Sequence, residues 1–404
     1  MSKKHIKRSI ESILKIALNI SPIVLLKGAR QVGKSTLSLE LNQHYIVLDD
    51  VSTRINANDD PIRFVETLKK PVTIDEIQKV PALLEALKIY VDKNRNNGDF
   101  LITGSANILD MKATKDTLAG RIIEINLYPL SAKEKAKKAD DNLVDKLFSQ
   151  DFSVENIPTD RVVSDILKGG YPDVQGLETA LEKKLWFSSY VSTYIERDAR
   201  DLGDFRDIDS FYRFVNIIAP RSTTLLNKSK IAKEVGIRVE TCENYLVILE
   251  QTFQLYTLRP FFENIGKRFV KSPKLFLNDT GIMSYFLGIY NIEQFEKSHY
   301  KGALVETFVF NELLKHVSFA IDDTHIYHYL TSDKKEIDFI LQRNDKIIAI
   351  EVKSSSKVGK DDFRHIMDYQ KSSSMDVFGI VFYMGQNVLH INDSCVALPF
   401  GYFY

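Results

Sequence analysis

Between residues 22 and 130, short apolar runs alternate with longer stretches of mixed polarity. The runs at 23–26, 45–48, 72–74, 100–102 and 122–127 are rich in Ile, Val, Leu and Phe, as strands are. Helical spacing fills most of the gaps, for instance at 82–93. This alternation predicts an α/β fold with a parallel sheet covered on both faces. A charged, mixed stretch at 131–165 reads as a helix and a connector, followed by a turn at Gly169-Gly170-Tyr171-Pro172. The helix expected over 183–198 carries Trp186, Tyr190, Tyr194 and Arg197, an aromatic stripe of the kind that packs into a core. Residues 225–237 read as a helix closed at Gly236, and 239–249 as a second helix with Tyr245, Leu246 and Leu249 inward. Two short helices joined there predict a helix-turn-helix, with 253–259 and 267–277 as a winged hairpin. In the last hundred residues, an amphipathic helix at 303–315 precedes strands at 327–330, 336–341 and 346–353. The expected division is a core at 1–135, a helical lid or connector at 136–222, a winged-helix region at 223–298 and a second α/β domain at 299–404.

Composition narrows the class. A chain of 404 residues with 44% hydrophobic content forms several packed domains. Lys+Arg and Asp+Glu are both 54, so no overall basicity announces nucleic acid, although a local basic patch fits within a neutral total. The two cysteines, Cys242 and Cys395, form no metal or redox pattern. Near the N-terminus, Lys3, Lys4, Lys7 and Arg8 precede an amphipathic segment interrupted by Glu11, Lys15 and Asn19. A signal peptide would have an uninterrupted apolar core there. No run approaches the roughly 20 apolar residues of a membrane span. The expectation is a cytoplasmic protein with no membrane partner, whose first helix packs before the core.

The chemistry begins at Gly28-Ala29-Arg30-Gln31-Val32-Gly33-Lys34-Ser35, which satisfies G-x-x-x-x-G-K-[ST] between a strand and a helix. Its glycines let successive N–H groups turn inward onto phosphate oxygens. The following helix adds its positive N-terminal end. Lys34 would place a charge on the β/γ-phosphates and Ser35 would ligate magnesium. The expected nucleotide site is this loop plus Thr36, and its cofactors are ATP and Mg²⁺. Arg30 is a further cation in the loop, expected to point away from the phosphates.

A second motif is Val72-Thr73-Ile74-Asp75-Glu76, a short apolar strand ending in two acids. In this Walker B arrangement Asp75 would hold magnesium and Glu76 would orient and polarise the attacking water. At Thr103-Gly104-Ser105-Ala106-Asn107 another strand ends in small polar residues. Thr103 or Ser105 there would bridge the water and the γ-phosphate, unless this is an ordinary strand-end turn. Leu118-Ala119-Gly120-Arg121 supplies a cation that is either an arginine finger for a neighbouring subunit or a partner in a local ion pair.

Together these segments resemble the ATPase core of a prokaryotic AAA-type family with G-x-R-Q-V-G-K-[ST], I-D-E-I-Q-x-V-P, T-G-S and L-x-G-R motifs. Here they stand at Gly28 to Ser35, Ile74 to Pro81, Thr103 to Ser105 and Leu118 to Arg121. The resemblance runs on through Gly169-Gly170-Tyr171-Pro172 to a C-terminal half described only as a domain of unknown function. It implies ATP hydrolysis and a homo-oligomer, a hexamer among its forms.

Two later features extend the expectation. In the helix-turn-helix, Lys228, Lys230 and Arg238 would face phosphates while Thr241 and Asn244 approach bases, making DNA the expected partner. The alternative is a winged helix used only for packing. Asp279 reads as a helix cap. Glu306 on a helix, Asp338 on one strand and Glu351-Val352-Lys353 on the next resemble the PD-(D/E)xK pattern of restriction-endonuclease-like domains. Glu351 and Lys353 share one strand face. Glu306, Asp338 and Glu351 would hold a divalent cation and Lys353 would steady the attacking water. The alternative is an inherited fold without the chemistry. The leading functional expectation is an oligomeric ATP-driven motor that binds or remodels DNA. Its rivals are an ATP-regulated metal-dependent nuclease and an ATP-controlled assembly switch whose last domain binds without cutting.

Overall fold

The computed structural model describes residues 6–41, 44–105, 118–195, 208–262 and 272–404. Ala106, Asn107, Arg197, Lys3, Lys4 and residues 267–271 of the expected hairpin lie outside them. The chain forms two compact units, one of Lys7–Pro129 with Gln251–Phe253, the other of Leu130–Glu250 with Gln254–Tyr404.

In the first unit, β1 (Ile23–Lys27), β2 (His44–Val47), β3 (Val72–Asp75), β4 (Phe100–Gly104) and β5 (Ile122–Asn126) lie in the order β2-β3-β4-β1-β5. Every neighbouring pair is parallel. Successive residues of β1, β3 and β4 are buried, as expected of strands covered on both faces. All carboxyl ends share one edge. The chain leaves β1 toward one side of the sheet and β5 lies on the other, so β1 marks the point where strand order reverses. Ligands of open parallel sheets bind beside that point. The phosphate loop, Asp75 and Ser105 all follow strands there.

In the second unit, residues 131–165 fold as three short helices, Ala132–Lys135, Leu143–Phe148 and Thr159–Lys168, where the sequence suggested one helix and a connector. Local chemistry divides them. Ser131 and Glu134 cap the first reciprocally, Lys137 turns left-handed at φ 64°, and the Asn142 side chain caps the second. Asp279 caps the helix Thr280–Leu287 through Gly281 N–H and Ile282 N–H at 2.8 and 3.1 Å. Its other oxygen accepts Gly170 N–H at 2.6 Å. Gly169 has φ 68°, and a Cβ on it would lie 2.1 Å from the Asp279 carboxylate, so glycine is required at 169. The aromatic helix is Ala180–Tyr190, ending in a π-turn at Val191–Ile195. Trp186 stacks on Tyr190, whose hydroxyl is 3.0 Å from that of Tyr171, so these two rings of the stripe pack inward, and the Tyr194 side chain lies outside the described residues.

Helices Lys228–Val235 and Val239–Gln251 are joined at Gly236, with φ 81°. Tyr245 packs against Phe211 and Phe214 of the preceding helix Ile208–Ile218. A two-stranded antiparallel ribbon follows, β6 (Leu255–Leu258) with β7 (Lys274–Leu277). The last sheet contains β8 (His325–Leu330), β9 (Glu336–Arg343), β10 (Lys346–Lys353), β11 (Asp376–Tyr383), β12 (Leu389–Asn392) and β13 (Cys395–Pro399). Its order is β12-β13-β11-β10-β9-β8, antiparallel through β8, β9 and β10 and parallel through β10, β11 and β13. Among the described residues, no helix is long and apolar enough to cross a membrane.

Candidate functional site

The phosphate loop runs from the end of β1 to the helix Lys34–Leu41. A Cβ on Gly28 would stand 2.2 Å from the Leu127 carbonyl oxygen, so only glycine permits this approach to the chain after β5. Gln31 takes the left-handed conformation at φ 60°. The Lys34 ammonium is buried and donates to the carbonyls of Gly28 and Ala29, each at 2.9 Å. Beneath the loop, the buried Arg8 guanidinium donates to Val32 O at 2.7 Å and to Tyr128 O at 2.6 Å. In the sequence Arg8 stands only as part of a basic N-terminus. Its signal was a charged residue directly before the apolar stripe of the first helix.

Asp75 is the hub of the site. One oxygen accepts Ser35 Oγ–H at 2.9 Å and the Tyr45 hydroxyl; the other accepts Thr103 Oγ1–H. Burial and the bond to Asp75 push the Tyr45 phenol above its ordinary range. The two expected magnesium residues, Ser35 and Asp75, are thus in direct contact. Glu76 sits in the left-handed region at φ 60°, ψ 47°, with its N–H donated to Thr103 Oγ1 at 3.2 Å. Its carboxylate accepts a bond from Gln78 Nε2, which also donates to Ser105 Oγ at 2.9 Å. Thr103 thus braces Asp75, and Ser105 joins Glu76 through Gln78. Tyr45 and Gln78 were missed, because their roles depend on which strands are neighbours.

Arg121 lies elsewhere. It precedes β5, at the amino edge of the sheet, and pairs with Asp92 at 2.5 and 3.1 Å. Five strand residues separate it from the loop edge, about 16 Å at 3.3 Å per residue. It does not reach the phosphate loop of its own chain.

The remaining residues fit a magnesium-bound nucleoside triphosphate. They provide a loop closed to any side chain at Gly28, an ammonium, a hydroxyl–carboxylate pair and a second carboxylate. Gln78 Oε1, beside them, is buried without a hydrogen-bond partner.

The C-terminal acids are arranged differently from expectation. β9 and β10 pair as far as Phe339 with Ile350, and there the Asp338 carboxylate takes over as acceptor, receiving Val352 N–H at 2.8 Å. Glu351 pairs with Lys353 at 3.3 Å. Asp338 stands in one cluster with Glu306 and Glu351, although among the described residues no three acidic, His or Cys side chains are placed to hold a metal. Instead Lys274, from β7, enters the cluster. Its ammonium is 3.0 Å from Glu306, 2.5 Å from Glu336 and 3.9 Å from Asp338. Burial and the Asp338 charge push the carboxyls of Glu306 and Glu351 up to about 8. Burial likewise raises Asp338, and the surrounding acids hold Lys274 firmly charged. Lys274 was missed although it is a charge opening an apolar strand, Lys-Leu-Phe-Leu, and such a charge demands a partner.

Residues 21–136 match the AAA domain family. Residues 160–293 and 301–403 match two domains of unknown function, DUF8612 and DUF4143. Uncharacterized proteins of Mycobacterium tuberculosis and Mycobacterium bovis are each 27% identical over 398 residues, 97% of this chain and 83% of theirs. An uncharacterized protein of Haemophilus influenzae is 29% identical over 315 residues, 74% of this chain and 70% of its own. Among solved structures, the Walker-type ATPase PABY2304 of Pyrococcus abyssi aligns at 14% identity with a TM-score of 0.44, over 71% of this chain and 97% of that one. The first unit contains an AAA-type ATPase domain, and the protein is an ATPase.

Proposed function

We propose that this ATPase is an oligomeric DNA-binding protein whose grip on DNA follows the nucleotide it holds. The observation that carries the reading is the helix-turn-helix of the second unit. Its second helix begins beside exposed Arg238 and turns Asn244 outward, with Thr241 half-buried between them. Lys230 and Lys233 are exposed on the preceding helix. Arg238 and these lysines suit phosphates, and Asn244 and Thr241 suit base edges. Lys228 is paired with Glu243 at 2.8 Å and contributes less than its sequence position suggested.

Bound ATP supplies the phosphoanhydride, and magnesium neutralises charge on its oxygens. Lys34 would exchange the carbonyls of Gly28 and Ala29 for phosphate oxygens. Ser35 and Asp75 would hold the metal, with Tyr45 and Thr103 fixing the carboxylate. Glu76 would orient and deprotonate the attacking water, itself held by Gln78. Arg121, remote from its own loop, would serve the site of a neighbouring copy. That assignment makes assembly a condition of full activity.

The test measures binding to duplex, forked and single-stranded DNA by fluorescence anisotropy, with ATP, for Glu76→Gln and Lys34→Ala. The stalled Glu76→Gln protein should bind at least one of these DNAs about ten times more tightly than Lys34→Ala, a difference of about 1.4 kcal/mol. Arg238→Ala combined with Asn244→Ala should remove most of that binding and leave basal hydrolysis intact. Equal DNA affinity in all these proteins would refute the reading.

A further inference from the structure

We infer that Lys274 occupies the cation position of the C-terminal acid cluster, turning what resembles a metal-dependent nuclease site into a socket for the β6–β7 ribbon. The geometry gives two rungs of contact. On β7, residues 274 and 276 project to the same face. Lys274 meets Glu306, and Phe276 stacks on Phe310 with ring centroids 4.1 Å apart. Glu306 and Phe310 stand one turn apart on the helix Lys301–Val317. A strand period of two is thus matched to a helical step of four, and the ribbon is held in one register.

The chemistry excludes a second cation. An ammonium offers three donors, and Lys274 faces Glu306, Glu336 and Asp338 with a side chain only 4% exposed. A divalent ion would need the same oxygens at 2.0–2.6 Å and would sit against a buried positive charge. Lys353, the other basic group here, is engaged by Glu351. The chain itself thus sets two ammonium groups, Lys274 and Lys353, among these carboxylates. This inference is independent of the DNA-binding reading, since the ribbon can be socketed whether or not Arg238 meets DNA.

The experiment titrates manganese into the nucleotide-free full-length protein, followed by the electron paramagnetic resonance of free Mn²⁺ and by melting temperature. It compares the wild type, Asp338→Asn, Lys274→Arg, Lys274→Ala, and Lys274→Ala combined with Asp338→Asn. Manganese held at Ser35 and Asp75 is common to all five and cancels. The wild type, Asp338→Asn and Lys274→Arg should bind the same amount. Lys274→Ala should melt lower without metal, bind one further manganese ion per chain and recover its melting temperature as it does so. Adding Asp338→Asn should abolish both gains. A manganese ion bound by the wild type and lost in Asp338→Asn would overturn the inference, and this arm decides even if Lys274→Ala does not fold. A folded Lys274→Ala that gains no manganese would overturn it as well.

Discussion

Gln78 is where a small perturbation should separate chemistry from binding. Its amide nitrogen bonds the Glu76 carboxylate and, at 2.9 Å, Ser105 Oγ. Among the described residues, Glu76 is otherwise fixed through its backbone, which is left-handed and bonded to Thr103. Gln78→Ala removes the bond to the carboxylate and frees the Glu76 side chain to leave its water. A hydrogen bond to a charged group contributes about 1.5–3 kcal/mol. Gln78 and Glu76 are only half-buried, so water recovers part of this for the resting protein. Water does not restore orientation in the transition state. A residual loss of about 1.4–2.8 kcal/mol corresponds to a fall in kcat of about 10–100-fold. ATP affinity should stay within about threefold, because Gln78 touches neither Lys34 nor Ser35. Gln78→Glu should be slower still, since it sets a second carboxylate against Glu76. Single-turnover hydrolysis of radiolabelled ATP measures the rate, and a fluorescent ATP analogue measures binding. Wild-type turnover in Gln78→Ala, or a loss of affinity as large as the loss of rate, would refute the reasoning.

Two further outcomes are expected. Arg121→Ala should keep its ATP affinity and, because the Arg121–Asp92 pair is exposed, most of its stability, while hydrolysis falls by about 10³-fold. Mixing it with Lys34→Ala subunits should restore part of the rate, and full activity in a monomer would rule out a role in trans. Burial, aided by the neighbouring Lys274 ammonium, depresses the His328 imidazole to about 3. The unfolded chain therefore takes up a proton near pH 6.5 that the folded chain refuses, so stability is full above pH 6.5 and declines as pH falls toward 3. At pH 5 this amounts to about 2 kcal/mol. Urea melts of wild type and His328→Phe should thus converge by that amount between pH 7.5 and 5. The opposing slopes of Glu306 and Glu351 are common to both proteins, so parallel stability curves would exclude the assignment.

What could be read from the chain alone was whatever a short window contains. The five apolar runs of the first unit became its five strands, and the phosphate loop stood between a strand and a helix as its glycines required. The Gly236 turn, the Asp279 cap and the inward stripe of Trp186 and Tyr190 were likewise local in cause, set by backbone conformation, capping and period. What lay beyond reach was the pairing of distant residues. Asp75 is braced by Tyr45 and Thr103, thirty and twenty-eight positions away, because β2 and β4 flank β3. Arg8 reaches Val32 and Tyr128 across 24 and 120 positions. The C-terminal acids show the difference most plainly. Their strand positions were legible, but whether they gather a metal depended on what else the fold brings among them. β7 brings Lys274, thirty-two residues before Glu306, and a buried charge takes the nearest opposite charge that the packing offers.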